Sequence, residues 1–402
     1  MDSGGNLPAV RLLGVGVSPE EETGIRGADD PEGSGPQSSS RILGTISRRR
    51  LRRGLALFCS ITIVSLAALF VLTRSEGILE AFQHYDTAWF GFTVFLMLLD
   101  VVLGSYRNHV FMKRLDPSVE FMTSVRANLA NTFVGAITPS QGGGGPAQFY
   151  VYHRKGGSIG QAVFVAAFNY LSTIVVFICG AAVSYAVLSE RLGSGFTGVV
   201  LISFIVFSVE FLLLVVAFSR PQLFISLMSR ITGRTKAHFP RLGRMLGRLT
   251  DRISLEVETF SDSSRNFFSH NRMMIPLSLV LTLALYLNKY SIAYTILLGM
   301  CIRSDFMTVI SIQAVLMCIL YFSPSPGGSG IAEFSIAALM SVILPESRLV
   351  VFSLLQRSFL LYLPMILGAF VIFHEIRVFS RVSDESREGS TGHATSSKVD
   401  HP

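Results

Sequence analysis

Eleven residues that occur twice limit what this chain can fold into. Residues 139–149 read PSQGGGGPAQF and residues 324–334 read PSPGGSGIAEF; Pro, Ser, three Gly, Ala and Phe coincide at seven of the eleven positions. Each copy follows an apolar run too short or too polar for an ordinary membrane span, and each leads into a short second apolar run. Proline disfavours helix in the residue before it, and consecutive glycines let the backbone turn where a side chain would clash. The pattern is that of a helix broken inside a membrane. A bilayer tolerates such a break only where the freed backbone groups face protein or a wet cavity.

A bilayer is the expected solvent because half the residues are hydrophobic, 15% are charged and the mean hydropathy is +0.50, whereas a soluble domain carries ~25% charged residues. The formal charge of +7 suits a cytoplasmic face lying on anionic lipid and does not call for nucleic acid. Cys59, Cys179, Cys301 and Cys318 are scattered through apolar runs without pairing or ligand spacing. They are expected as small core residues.

Six runs, 55–73, 89–110, 161–188, 196–218, 275–300 and 349–373, are long enough to cross, since ~20 helical residues cover the hydrocarbon core. Residues 1–47, rich in Gly, Pro, Ser and acid, read as a disordered cytoplasmic tail and not as a signal peptide. Arg48, Arg49, Arg50, Arg52 and Arg53 then hold the start of the first span in the cytoplasm. Arg107, Lys113 and Arg114 put the loop after the second span on the same side, as the basic loop 219–272 and the tail 375–402 with Arg377, Arg381 and Arg387 are also expected to be. Were 121–138 to cross alone, His153, Arg154, Lys155 and that basic loop would fall outside. The segment 121–158 is therefore expected to dip in from the cytoplasm and return, as a re-entrant hairpin. By the same parity 306–344 enters from outside.

The fold class that follows is an all-α polytopic membrane protein with an inverted-topology repeat and two re-entrant helical hairpins. Repeat A covers 48–190 and repeat B 191–374, both termini are cytoplasmic, and substrate sits near the midplane between the halves. The competing reading is that the glycines merely permit close helix packing.

A helix N-terminus offers unpaired N–H groups and partial positive charge, and glycine lets an anion approach them. Helices opening after Gly145 and Gly330 are expected to present two such ends, built from Gly142, Gly143 and Gly145 and from Gly327, Gly328 and Gly330. Ser140 and Ser325 add hydroxyls, and Gln148 and Glu333 sit one turn inside the second helices. Alternatively these polar residues simply cap the broken ends.

Charges within spans are functional candidates because they are costly in hydrocarbon. Asp100 and Lys289 lie 39 and 35 residues before Pro139 and Pro324. They are expected to face a shared cavity as a pair, the alternative being a structural ion pair or snorkelling. Arg357, beside Gln356, is a bidentate phosphate ligand by chemistry. Glu210, near the cytoplasmic end of its span, is expected to be wetted. Arg126, Asn128, Asn131 and Gln313 either line water or bond neighbouring helices, and Trp89, Tyr150 and Tyr152 mark interfaces. In the basic loop, apolar residues recur from Leu242 to Val257 against Arg241, Arg244, Arg248 and Arg252. That amphipathic helix either lies on the inner leaflet or extends a bundle helix.

The stretches TPSQGGGGPAQFYVYHRKGGSIGQA and SPSPGGSGIAEF resemble the two signatures of the lysylphosphatidylglycerol synthase transmembrane region family, also described as flippase-like membrane proteins. The resemblance runs from about residue 55 to 373. It implies a bundle with re-entrant helices that moves or binds an amphiphilic lipid in a bacterial inner membrane, and it favours Pro139, Gly142, Gly143, Gly145 and Arg154 in the first motif and Pro324, Gly327, Gly328, Gly330 and Glu333 in the second. Many relatives carry an acid just after the first glycines, whereas this chain has Gln148 followed by His153 and Arg154. Only a short polar tail follows residue 373, so the cytosolic catalytic domain of the bifunctional synthases is not expected.

No metal, nucleotide or nucleophile motif is present, so no enzyme, cofactor or metal is expected. Three function classes stay open: a translocator of an anionic lipid, a secondary transporter of a small anion or ion-coupled solute, and a scaffold presenting lipid to an envelope enzyme. The expected partners are membrane lipids and such an enzyme.

Overall fold

The computed structural model describes residues 48–73, 85–189, 194–219 and 273–375. The described residues are all-helical: α1 (Arg48–Thr73), α2 (Thr87–Leu115), α3 (Phe121–Ala136), α4 (Gly144–Arg154), α5 (Ile159–Leu188), α6 (Ser194–Ser219), α7 (Met274–Gly299), α8 (Phe306–Tyr321), α9 (Ile331–Met340) and α10 (Glu346–Arg357). The last helix continues through a π-helical turn at Ser358–Tyr362 and ends at Glu375. Six helices, α1, α2, α5, α6, α7 and the extended α10, are long and apolar enough to cross a membrane. They match the six expected runs to within a few residues.

Local chemistry sets the ends. The Asp86 carboxylate accepts from the Ala88 N–H at 2.8 Å and opens α2, and Asp305 does the same for α8 through Thr308. Prolines at 139 and 324 stop α3 and α8 after 16 residues each, and α4 and α9 run for only 11 and 10. At 1.5 Å per residue none of these four exceeds about 24 Å, short of the ~30 Å hydrocarbon core.

Two large apolar cores, with smaller clusters such as that of Ile174, Phe177, Phe207 and Cys318, hold the described helices together. One gathers Phe58 of α1, Phe111 and Met112 of α2, Phe133 of α3, Tyr150 of α4 and Phe164 of α5. The other gathers Ile292 and Ile296 of α7, Val309 and Ile312 of α8, Ile336 of α9 and Phe352 of α10. The halves interdigitate: α2 packs along α7, and α10 gives Val351 and Phe359 to the second core but Met365 and Ile372 to the first. Faces turned away from both cores remain apolar, with Ile63, Val64, Leu212, Leu213 and Phe370 exposed, the surface a lipid-solvated bundle presents.

Several sequence expectations change. Only Cys318 is buried, whereas Cys59, Cys179 and Cys301 are exposed. Tyr150 and Tyr152 are core residues, because α4 is wrapped by α3 and α5 and has no free face at that point. Arg107 lies inside α2, which runs on to Leu115, and not in a loop. The expected tail 1–47, most of the basic loop 219–272 with its amphipathic helix, and the tail beyond Glu375 lie outside the described residues.

Candidate functional site at the crossing of the two turns

The two motifs share residues but not backbone geometry. A 3-10 turn covers Pro139–Gln141 in the first, with Ser140 at φ 51° and Gln141 at φ 55°. In the second it covers Pro326–Gly328, two motif positions later, with Gly327 at φ 57° and Gly328 at φ 71°. The left-handed region that glycine adopts freely is thus occupied in the first copy by two residues with side chains, a strained arrangement. The second helices begin unevenly as well. α9 opens after Gly330 as expected, but α4 already starts at Gly144, so Gly145 lies inside it.

The turns lie against each other. A Cβ added at Gly327 would sit 3.1 Å from the Ala136 carbonyl oxygen at the end of α3 and 2.8 Å from the Phe58 ring. On α1, the Thr62 hydroxyl bonds Ser329 at 2.8 Å and pins the second turn. Gly143 serves a different purpose: its Cβ position is 2.7 Å from Thr138 and 2.8 Å from Val134, and its N–H donates to the Thr138 hydroxyl at 3.0 Å. That glycine closes its own turn tightly and does not leave open backbone.

The equivalent residues Gln148 and Glu333 face inward, both buried. Gln148 accepts from the Asn131 amide at 2.7 Å and ties α4 to α3. One Glu333 oxygen accepts from the Gly330 N–H at 2.6 Å, so the open end of α9 is capped by the chain's own carboxylate; the other accepts from Arg357 Nε at 3.1 Å. Arg357 also donates from Nη2 to the Gly327 carbonyl at 2.8 Å. The expected bare helix end at Gly330 is therefore occupied, and Arg357 binds the second turn before it can bind anything else. It sits where the π-helical turn of α10 begins, a distortion frequent at functional sites.

A cavity of about 290 Å³ lies at the crossing. Gln141, Gly327 and Gly328 line it from the turns, Asn131 and Thr132 from α3, Tyr286 and Lys289 from α7, and Gln356 and Arg357 from α10. Phe177, Leu316, Leu320, Tyr321 and Leu361 supply an apolar wall. Lys289 Nζ lies 2.6 Å from Asp100 Oδ2, which makes these two the expected pair across α2 and α7. The structure thus brings Gly327, Gly328, Arg357 and Lys289 to one cavity, with Asp100 and Glu333 directly behind two of them. Ser140, Gly142, Gly143, Gly145, Gln148, Ser325 and Gly330 belong to the turns and helix starts and do not line it. Ser325 is held by the Ser323 hydroxyl at 2.9 Å. Sequence reasoning passed over Gln141 and Tyr286, whose type and spacing do not set them apart.

Arg154 is elsewhere. Ten residues, about 15 Å of helix, separate it from Gly144; Nη1 donates to the Glu375 carbonyl at 2.8 Å and lies 3.2 Å from its carboxylate. Arg126 reaches the same carboxylate at 3.5 Å. Because the Glu375 side chain is only 9% exposed while Arg126 is 37% exposed and Arg154 20%, Glu375→Gln is expected to cost about 1–3 kcal/mol, read as a lower thermal unfolding midpoint of the detergent-purified protein. Among the described residues no cluster of His, Cys, Asp or Glu could hold a metal ion.

The fold and the paired turns agree with what the chain is similar to. A curated relative, described as a "UPF0104 membrane protein" from Archaeoglobus fulgidus, is 21% identical over 316 residues, covering 79% of this chain and 95% of the relative. The sequence model of the lysylphosphatidylglycerol synthase transmembrane region matches residues 55–368, from the first span into the last and across both motifs. With six candidate spans and that match over most of its length, the chain is a multi-pass membrane protein of the lysylphosphatidylglycerol synthase transmembrane region family.

Proposed function

We propose that this protein is a flippase-like translocator that takes the anionic headgroup of a membrane lipid into the cavity between the two turns while the acyl chains stay in the bilayer. The observation that carries the reading is the crossing itself: two proline-glycine turns from the two halves of the chain meet beside Arg357 and Lys289 and line one pocket. A lining with two cations, three amide side chains and an apolar wall suits an amphiphile whose head is negative. In this reading α3 with α4, and α8 with α9, are re-entrant hairpins from opposite faces. The halves 48–190 and 191–374 form an inverted repeat, and both termini lie on the cytoplasmic side of the plasma membrane. Catalysis and a cofactor have no part in it.

A carrier of a small anion is the second reading, and the cavity's volume favours it, since about 290 Å³ is at the lower end of ligand sites. Reconstitution separates the two. Vesicles containing the protein and a fluorescent phosphatidylglycerol are expected to expose the inner-leaflet label to a reductant faster than vesicles with fluorescent phosphatidylcholine. Equal rates at the protein-free level, with anion uptake intact, would transfer the assignment to the small-anion carrier. Topology has its own check: single cysteines at the exposed positions Lys155 and Pro345 are expected to react with an impermeant thiol reagent from opposite faces. Labelling from one face removes the opposed hairpins.

A further inference from the structure

Among the described residues Arg107 has no carboxylate within ion-pair distance. It lies seven residues from Asp100 on α2, about 10 Å along the same helix face, and its head is turned between α2, α5 and α7. Nη1 donates to the Thr173 hydroxyl at 3.2 Å and to the Thr282 hydroxyl at 3.1 Å. Both hydroxyls spend their own hydrogens on backbone carbonyls, Thr173 on Asn169 and Thr282 on Ser278. They offer Arg107 lone pairs but no charge. Nε is buried without a partner. Nη2 makes no hydrogen bond to a described residue, so the Nε–Nη2 edge, the one that grips an oxyanion in bidentate fashion, lacks an acceptor. Asp100 gives one oxygen to Lys289 and Glu210 one to the Tyr170 hydroxyl, and the second oxygen of each is buried without a partner.

Arg107 does not line the cavity, but its partner Thr282 lies one helical turn from Tyr286, which does. Thr282, Tyr286 and Lys289 share one face of α7 by their spacing of four and three, and Tyr286 and Lys289 line the cavity. Beyond Arg107 the same three helices are joined by further polar pairs, Ser172 with Ser278 at 2.7 Å and Asn169 with Asn108 at 2.8 Å. These contacts form a polar seam between α2, α5 and α7 that holds the guanidinium and begins one turn from Tyr286. Charged groups at such depth are rare because each is costly unless compensated.

We infer that Arg107 is a second station for the phosphate-type oxyanion that enters the cavity, separated from the first by the Tyr286 side chain. The inference rests on the anionic-headgroup reading given above and deepens it, since the anion moves from Lys289 and Arg357 to Arg107 as it crosses. The chemistry is shared by a lipid phosphodiester and by free phosphate.

Calorimetric titration of the full-length protein in detergent, with glycerophosphoglycerol in one arm and inorganic phosphate in the other, tests it. The wild-type protein is expected to bind two equivalents and Arg107→Gln one, the remaining site keeping its Kd. Arg107→Lys retains the charge but loses the bidentate edge, so it is expected to keep the second equivalent with affinity weaker by about tenfold. Two equivalents with the phosphodiester alone identify a lipid headgroup, and two with phosphate alone a free anion; either outcome upholds the station. A single wild-type equivalent that Arg107→Gln leaves unchanged overturns the station and leaves the cavity standing. No binding in either arm removes both. Should Arg107→Gln misfold, Arg107→Lys decides: a second equivalent weakened about tenfold upholds the station, and two equivalents of unchanged affinity overturn it.

Discussion

Replacing Arg357 by Ala is expected to destabilise the folded protein by about 3–5 kcal/mol, the cost of stranding one member of a buried ion pair. Its side chain is 7% exposed and that of Glu333 0%. Without the guanidinium, the Glu333 carboxylate keeps only the Gly330 N–H, and the Gly327 carbonyl loses its donor. The loss is read as a large drop in the thermal unfolding midpoint in detergent. The paired variant Glu333→Gln with Arg357→Met removes both charges at similar volume and is expected to recover most of that stability. The same paired variant separates structure from transport: folded and inactive in the vesicle assay, it assigns Arg357 to the headgroup as well as to the turn. A folded, fully active paired variant would confine Arg357 to holding the second turn.

Gly327→Ala is the second large effect. At φ 57° a side chain pays about 1–2 kcal/mol for the left-handed backbone, and the new Cβ falls within 2.8 Å of Phe58 and 3.1 Å of the Ala136 carbonyl. Overpacking of this kind adds about 1–3 kcal/mol. The variant is expected to push the turns apart and abolish lipid movement while the six spans still insert. Its control is Gly142→Ala, the same motif position in the first copy. There φ is −62° and the nearest contact of an added Cβ is 3.5 Å from the Pro139 carbonyl, so little change is expected. Equal tolerance at both positions would mean that the turns do not meet as described.

The architecture was readable where one-dimensional signals suffice. Six long apolar runs announce six helices, and paired proline-glycine motifs announce two breaks. The ion pair of Asp100 with Lys289 followed from matching distances to those motifs. Arg107 escaped because counting basic residues treats every arginine near a span end as loop, and nothing in the sequence says that α2 continues to Leu115 with that residue facing its neighbours. The capping of Gly330 by Glu333 has the spacing of a capping box, yet the same spacing also suits a ligand, and only the position of Arg357 separates the two. Arg154, which the resemblance favours, lies ten residues along α4 from Gly144 and reaches Glu375, a partner that its motif neighbours do not announce. Tyr150 and Tyr152 look like interfacial rings in a list of aromatics and become core only once α3 and α5 enclose α4.

The shared ownership of α10 limits how this molecule can move. Its first part belongs to one core, its last part to the other, and Ser358–Tyr362 lies between them. A rigid swing of either half would tear one of these attachments, so in the translocator reading proposed above alternation between leaflets is absorbed as bending within that helix. The widened π-helical segment, where the regular hydrogen-bond ladder is already interrupted, is the natural hinge, and Arg357 at its edge ties any such flexion to the state of the second turn.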